Sequence, residues 1–162
     1  MAKNKHSKKQ RKAEADRMLN MKPEHLIALG DKDIEAGHFR NAISLYKQAL
    51  KNKGNPEVIN LALFRAYLLR GQQLLDKGMT KEADATFDNA MASKPGLGSL
   101  SEADILLCIH AMDEKQGVEM YSGYCSQKGP LPSVETRLAG KLLKSENAGL
   151  LKNGLHESSR LK

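Results

Sequence analysis

No tryptophan occurs in this chain, and three phenylalanines and four tyrosines supply all its aromatic rings. A large core built on ring packing is thereby excluded. β-Branched residues are also few, whereas Ala, Leu, Lys, Glu and Gln are plentiful, a balance that disfavours strands and favours helices. Two cysteines, Cys108 and Cys125, are too few for a disulfide framework, so each is expected to be a small apolar packing residue in a reducing compartment. No apolar run approaches the ~20 residues that span a bilayer, and the charged start leads into no signal-peptide core. An all-α cytoplasmic protein is expected, its 162 residues sufficient for one domain.

Charge is ample but unevenly placed. The net charge is +7. Residues 1–17 carry Lys3, Lys5, Lys8, Lys9, Arg11, Lys12 and Arg17 against Glu14 and Asp16, and residues 137–162 carry six basic groups against two acidic ones. The middle is slightly acidic. Residues 1–20 are read as a disordered basic arm, 21–145 as a helical domain and 146–162 as a mobile basic tail. Such an arm suits an anionic partner, whether nucleic acid, membrane surface or acidic protein, and serves equally as a solubilising tail.

Apolar spacing divides the middle into helices. Pro23 suits a first turn, and Leu26, Ile27, Leu29 and Ile34 mark a face that Gly37 ends. Phe39, Ala42, Ile43, Tyr46, Ala49 and Leu50 follow at helical spacing up to Gly54 and Pro56. Residues 57–77 are apolar on nearly every side, as in a helix contacted from several directions, and Gly78 stops them. Residues 81–93 form a fourth helix with Ala83, Phe87, Ala90 and Met91 inward. Ser101 and Asp104 form a capping pair for a fifth, which Gly117 is expected to end. Val118, Met120, Tyr121 and Cys125 suggest a sixth. Ser133 would cap a seventh, with Val134, Leu138 and Leu142 on one face.

Two segments repeat a small–bulky–small pattern: Gly37, Ala42, Tyr46, Ala49 and Gly78, Ala83, Phe87, Ala90. With Leu29–Gly30, Gly71 and Pro95 in register, the pattern resembles the tetratricopeptide repeat, a 34-residue helix–turn–helix unit. Leu26 and Tyr67 stand where that family usually has Trp, Gly54 where it has the closing Pro, and Asp33 and Leu74 where it has Tyr. Arg70 departs from its Leu. The unit starts, Pro23 and Phe64, lie 41 residues apart, so two extra helical turns separate them. Residues 99–130 carry a degenerate third copy, in which Val118 and Cys125 occupy the Ala positions. The resemblance implies a right-handed superhelix of antiparallel helix pairs, closed by the seventh helix as a cap.

It also implies a concave groove lined by the first helix of each pair. By position those residues are Glu24, Ile27, Ala28, Asp31, Ile34 and Glu35, then Arg65, Leu68, Leu69, Gln72, Leu75 and Asp76. About half are expected to be buried by stacking alone. The lining is apolar with an acidic edge and lacks the Lys and Asn of the family's carboxylate clamp, so a partner segment that is apolar and flanked by basic residues fits it. The chain's own basic arm has the charge to visit that groove, as an autoinhibitory or dimerising element. A non-catalytic adaptor, scaffold or chaperone-like module is the function implied, with self-association through open ends as a further expectation.

Chemical sites are not legible. Cys108 and His110 lie two apart on a helix and diverge, Cys125 completes no ligand set, and the Cys–His pair has no orienting acid nearby. Residues 94–99 lack the phosphate-loop order, and Asp31, Asp33, Glu35, Asp113 and Glu114 read as solvated faces. No metal, cofactor or enzyme activity is expected. The alternative reading is a nucleic-acid- or ribosome-associated protein that uses the basic arm. Its binding would be sequence-tolerant, because Phe39, Tyr46, Phe64, Tyr67 and Phe87 belong to the packing pattern and leave only Tyr121 and Tyr124 for stacking.

Overall fold

Pro23 opens the first helix, where its missing N–H costs no hydrogen bond. The computed structural model describes residues 20–144, with side chains as far as Lys141, and the described secondary structure is helical without a strand. In chain order the helices are α1 (Pro23–Glu35), α2 (Phe39–Lys51), α3 (Pro56–Leu75), α4 (Thr80–Ala92), α5 (Glu102–Ala111), α6 (Glu114–Lys128) and α7 (Pro132–Lys144), with a 3-10 turn at Leu97–Ser99. The basic arm through Leu19, the tail beyond Lys144 and the side chain of Leu142 lie outside the described residues. None of the described helices is long and apolar enough to cross a membrane. The chain forms two compact units, and the division falls inside α3, between Tyr67 and Leu68.

In the first unit α1 and α2 form a hairpin. Gly37 stops α1 at φ +73°, a left-handed conformation that costs an L side chain energy and a glycine little. The buried face of α2 is Ala42, Leu45, Tyr46 and Ala49, at the i, i+3, i+4, i+7 spacing of an amphipathic helix. That face differs by one column from the expected one. Leu45 is buried while Leu50, expected inward, is exposed, because the stripe ends at the last turn. Asn55 then accepts from the Glu57 N–H at 3.0 Å and starts α3.

The second unit begins with the remainder of α3, which pairs with α4 across another glycine stop, Gly78 at φ +73°. Helices α5 and α6 then pack together, with α7 against both. Ser101 and Asp104 form the expected reciprocal cap: the Ser101 N–H donates to Asp104 Oδ2 at 2.9 Å and the Asp104 N–H to Ser101 Oγ at 3.3 Å.

Two expected boundaries are corrected. Helix α5 ends at Ala111 rather than at Gly117, because Asp113 caps a new helix by accepting from the Gln116 N–H at 2.8 Å. Gly117 therefore lies inside α6, where a Cβ would stand 3.7 Å from the Ile109 Cα. Helix α7 starts at Pro132, so Ser133 sits within its first turn and its hydroxyl donates to Glu102 instead of capping.

Candidate functional site

The contact that organises each hairpin is a ring seated on a glycine. A Cβ built on Gly30 of α1 would lie 2.4 Å from Cε1 of Tyr46, and one on Gly71 of α3 would lie 2.1 Å from Cε1 of Phe87. Atoms do not approach so closely, so only hydrogen at those positions admits the rings. Tyr46 is 2% exposed and Phe87 7%, and Ala42, Ala49, Ala83 and Ala90 beside them are fully enclosed. Leu26, at the position of the family's Trp, is fully buried, and Leu29 is half-buried. Gly54 is a third close point, where a Cβ would stand 2.6 Å from Ile59 Cδ1 and 2.7 Å from Pro23 Cβ. Pro95 is half-buried.

The first ring carries a polar tether. Tyr46 donates its hydroxyl to Asp31 Oδ1 at 2.7 Å. Burial, and then this hydrogen bond, push its phenol well above the ordinary tyrosine range, so the proton stays on oxygen. Asp31 is thus tied to the hairpin core while standing at a groove position.

On α1 the expected partner face is accessible. Glu24, Ala28, Asp31 and Glu35 are exposed, and Ile27 and Ile34 are half-buried between them. In the second unit, Leu69, Gln72 and Leu75 are half-buried and Asp76 is exposed, with Gln72 donating from Nε2 to Asp76 Oδ1 at 2.9 Å. The Gln72 Oε1 is buried without a hydrogen-bond partner among the described residues. Arg65 is exposed. Leu68 is the correction: it is fully buried, so it offers no surface to a partner. The expectation that about half of these positions would be enclosed also fails, because most keep an accessible edge. α3 is apolar around its circumference, and a register based on one face cannot separate its inner from its outer leucines.

Farther along, Cys108 and Cys125 are buried free thiols. Burial, reinforced by the Asp104 carboxylate, pushes the Cys108 thiol up to about 12, and burial raises Cys125 against a hydrogen bond from Tyr121. Such thiols are inert toward electrophiles and metals at neutral pH. Tyr121 accepts from the Leu131 N–H at 2.8 Å, which anchors the turn into α7. Tyr121 and Tyr124, the two rings left over for base stacking, are both buried. His110 is exposed, and no group of three or more metal-ligating side chains occurs among the described residues.

One interaction was invisible in the sequence. The Lys141 ammonium donates to the Ile109 carbonyl at 2.7 Å and to the Met112 carbonyl, so a residue of α7 satisfies the C-terminal end of α5. Burial lowers its pKa, while the nearby Glu114 and Asp113 carboxylates oppose that shift. A cleft of about 500 Å³ runs beside it, lined by Ile109, His110, Arg137 and Gly140. The partners of this lysine lie 29 and 32 residues away, beyond any helical periodicity. Among the described residues, no nucleophile, base and orienting acid converge in the cleft.

Comparison with known protein families, with curated proteins and with solved structures returns no match for this chain.

Proposed function

We propose that the α1–α2 and α3–α4 hairpins are tetratricopeptide-like units, and that the protein is a non-catalytic adaptor or scaffold in the cytoplasm. Superhelical stacking of the units and a closing role for α7 belong to the same proposal. The partner is a peptide or helix that carries apolar side chains flanked by basic ones. It lies on the accessible face of a hairpin's first helix, with its apolar groups against Ile27 and Ile34 and its cations beside Glu24, Asp31 and Glu35. The observation that carries the reading is the ring on glycine, Tyr46 on Gly30 and Phe87 on Gly71. It spends the bulky residues of α2 and α4 on internal packing and leaves the first-helix face free.

The test is a crosslinking capture comparing the intact protein with Ile27→Glu/Ile34→Glu, with Leu69→Glu/Leu75→Glu and with Leu50→Glu, each checked for unchanged helix content. Leu50 is exposed on a second helix. A partner held by the wild type and by Leu50→Glu but lost from a face variant supports the reading. Equal capture by all four proteins contradicts it.

A further inference from the structure

Where α1 begins, the chain is clasped to the end of α2. Asn52 donates from Nδ2 to the Met21 carbonyl at 2.8 Å, and Gln48 holds the same amide by donating from Nε2 to Asn52 Oδ1 at 2.9 Å. The clasp brings Lys22, from the segment before α1, beside Lys51 and Lys53 from the end of α2. Together with Asn20, Met21 and Asn52 they line an open depression of about 500 Å³, with no carboxylate in the lining among the described residues. All three lysines are exposed. Lys53 is held at φ +62°, a left-handed conformation uncommon for lysine, by the turn that follows α2. The C-terminal end of α2 and the N-terminal end of α1, which carries Glu24 in its first turn, meet here, and the three lysines outnumber that carboxylate.

We propose that this depression binds the phosphate backbone of a double-stranded nucleic acid. In sequence the arm runs directly into it: residues 1–22 hold eight Lys and Arg against Glu14 and Asp16. Lysines on separate segments, held around a concave floor, offer point charges to phosphates at several positions without reading a base edge. A protein partner would need an apolar or aromatic centre, and among the described residues Met21 is the one large apolar side chain in the lining. A membrane-inserting arm would need several large apolar anchors, and between Met1 and Met18 the only apolar residues are alanines. Single strands are held by exposed rings, whereas Tyr46, Phe64, Tyr67, Phe87, Tyr121 and Tyr124 are buried and Phe39 is half-buried. A duplex backbone remains. This binding is independent of the first-helix faces, so the two readings fail separately.

The test measures binding of the full chain to a short fluorescein-labelled duplex by anisotropy, from about 50 to 200 mM salt. The proteins are the wild type, Lys22→Gln/Lys51→Gln/Lys53→Gln, and the charge-matched control Lys77→Gln/Lys81→Gln/Lys115→Gln, all with equal helix content. Each lysine on a phosphate contributes about one to the slope of log affinity against log salt. The first variant is expected to lose about 2–3 from that slope, and the control to keep the wild-type value. An unchanged slope in the first variant, an equal loss in the control, or an effect seen on phosphatidylserine vesicles but not on the duplex would each overturn the proposal.

Discussion

A methyl group is welcome on some of this protein's helical glycines and excluded from others, and the difference is set by what lies opposite. Among the described residues, nothing stands within 4 Å of where a Cβ on Gly140 of α7 would lie. Gly140→Ala should therefore gain only helix propensity, about 0.5–1 kcal/mol, read as a higher urea midpoint with an unchanged m-value. The Tyr46 hydroxyl provides a second test at this scale. Its bond to a charged acceptor predicts that Tyr46→Phe costs about 1–3 kcal/mol despite conserving the ring.

The thiols give a pH signature. Cys108 titrates near 12 when folded, against about 8.5 for an exposed cysteine, so above that lower value the folded state holds the proton and the unfolded state releases it. Stability contributed by this group is complete below about pH 8.5 and declines as pH rises toward the folded value, by at most ~1.4 kcal/mol per pH unit. Cys108→Ala should flatten the alkaline limb of stability measured against pH, below the range where the tyrosines begin to titrate.

At the scale of elements, helix ends are held by local caps in some places and by distant groups in others. Asp104→Ala removes the acceptor of the reciprocal cap and should cost about 0.5–2 kcal/mol, with faster hydrogen exchange confined first to the opening turn of α5. Lys141→Met keeps the apolar stem but leaves the Ile109 and Met112 carbonyls without their donor. The expected loss is about 1–3 kcal/mol, with faster exchange at the closing turn of the same helix. Amide exchange read by residue separates the two ends.

The same contrast explains which boundaries could be read from sequence. Gly37, Gly78 and the Ser101–Asp104 pair act on their own neighbours, so their residue types announce them. The break at Met112–Asp113 was also written locally, in an Asp three residues before Gln116, but Asp113 beside Glu114 passed for a solvated acidic face. Lys141 and Ser133 bond to residues about thirty positions away, and no periodicity within one helix reports that.

For the whole molecule, the all-α class followed from composition, and the ring-bearing hairpins from spacing, because both depend on residue types that recur. The outward side of α3 was less legible. Leucines surround that helix, and burial of Leu68 beside the accessible Leu69 and Leu75 depends on what packs around it rather than on its own sequence. The lysine depression was illegible for a related reason. Lys22 and Lys53 are thirty-one positions apart and meet where the α1–α2 hairpin closes beside the Asn52 clasp. The ends of the chain carry the positive charge while the helical middle is nearly neutral overall.

Everything proposed for the faces rests on rings seated on glycines, and a double-mutant cycle measures that seat directly. Gly30→Ala is combined with Tyr46→Leu, and Gly71→Ala with Phe87→Leu, with unfolding free energy read from urea denaturation. In the wild-type background each alanine should cost about 1–3 kcal/mol, because its methyl group strikes the ring. With the ring replaced by leucine that cost should largely vanish, leaving a coupling energy of about 1 kcal/mol or more in each pair. Additivity within about 0.5 kcal/mol in either pair would contradict the account.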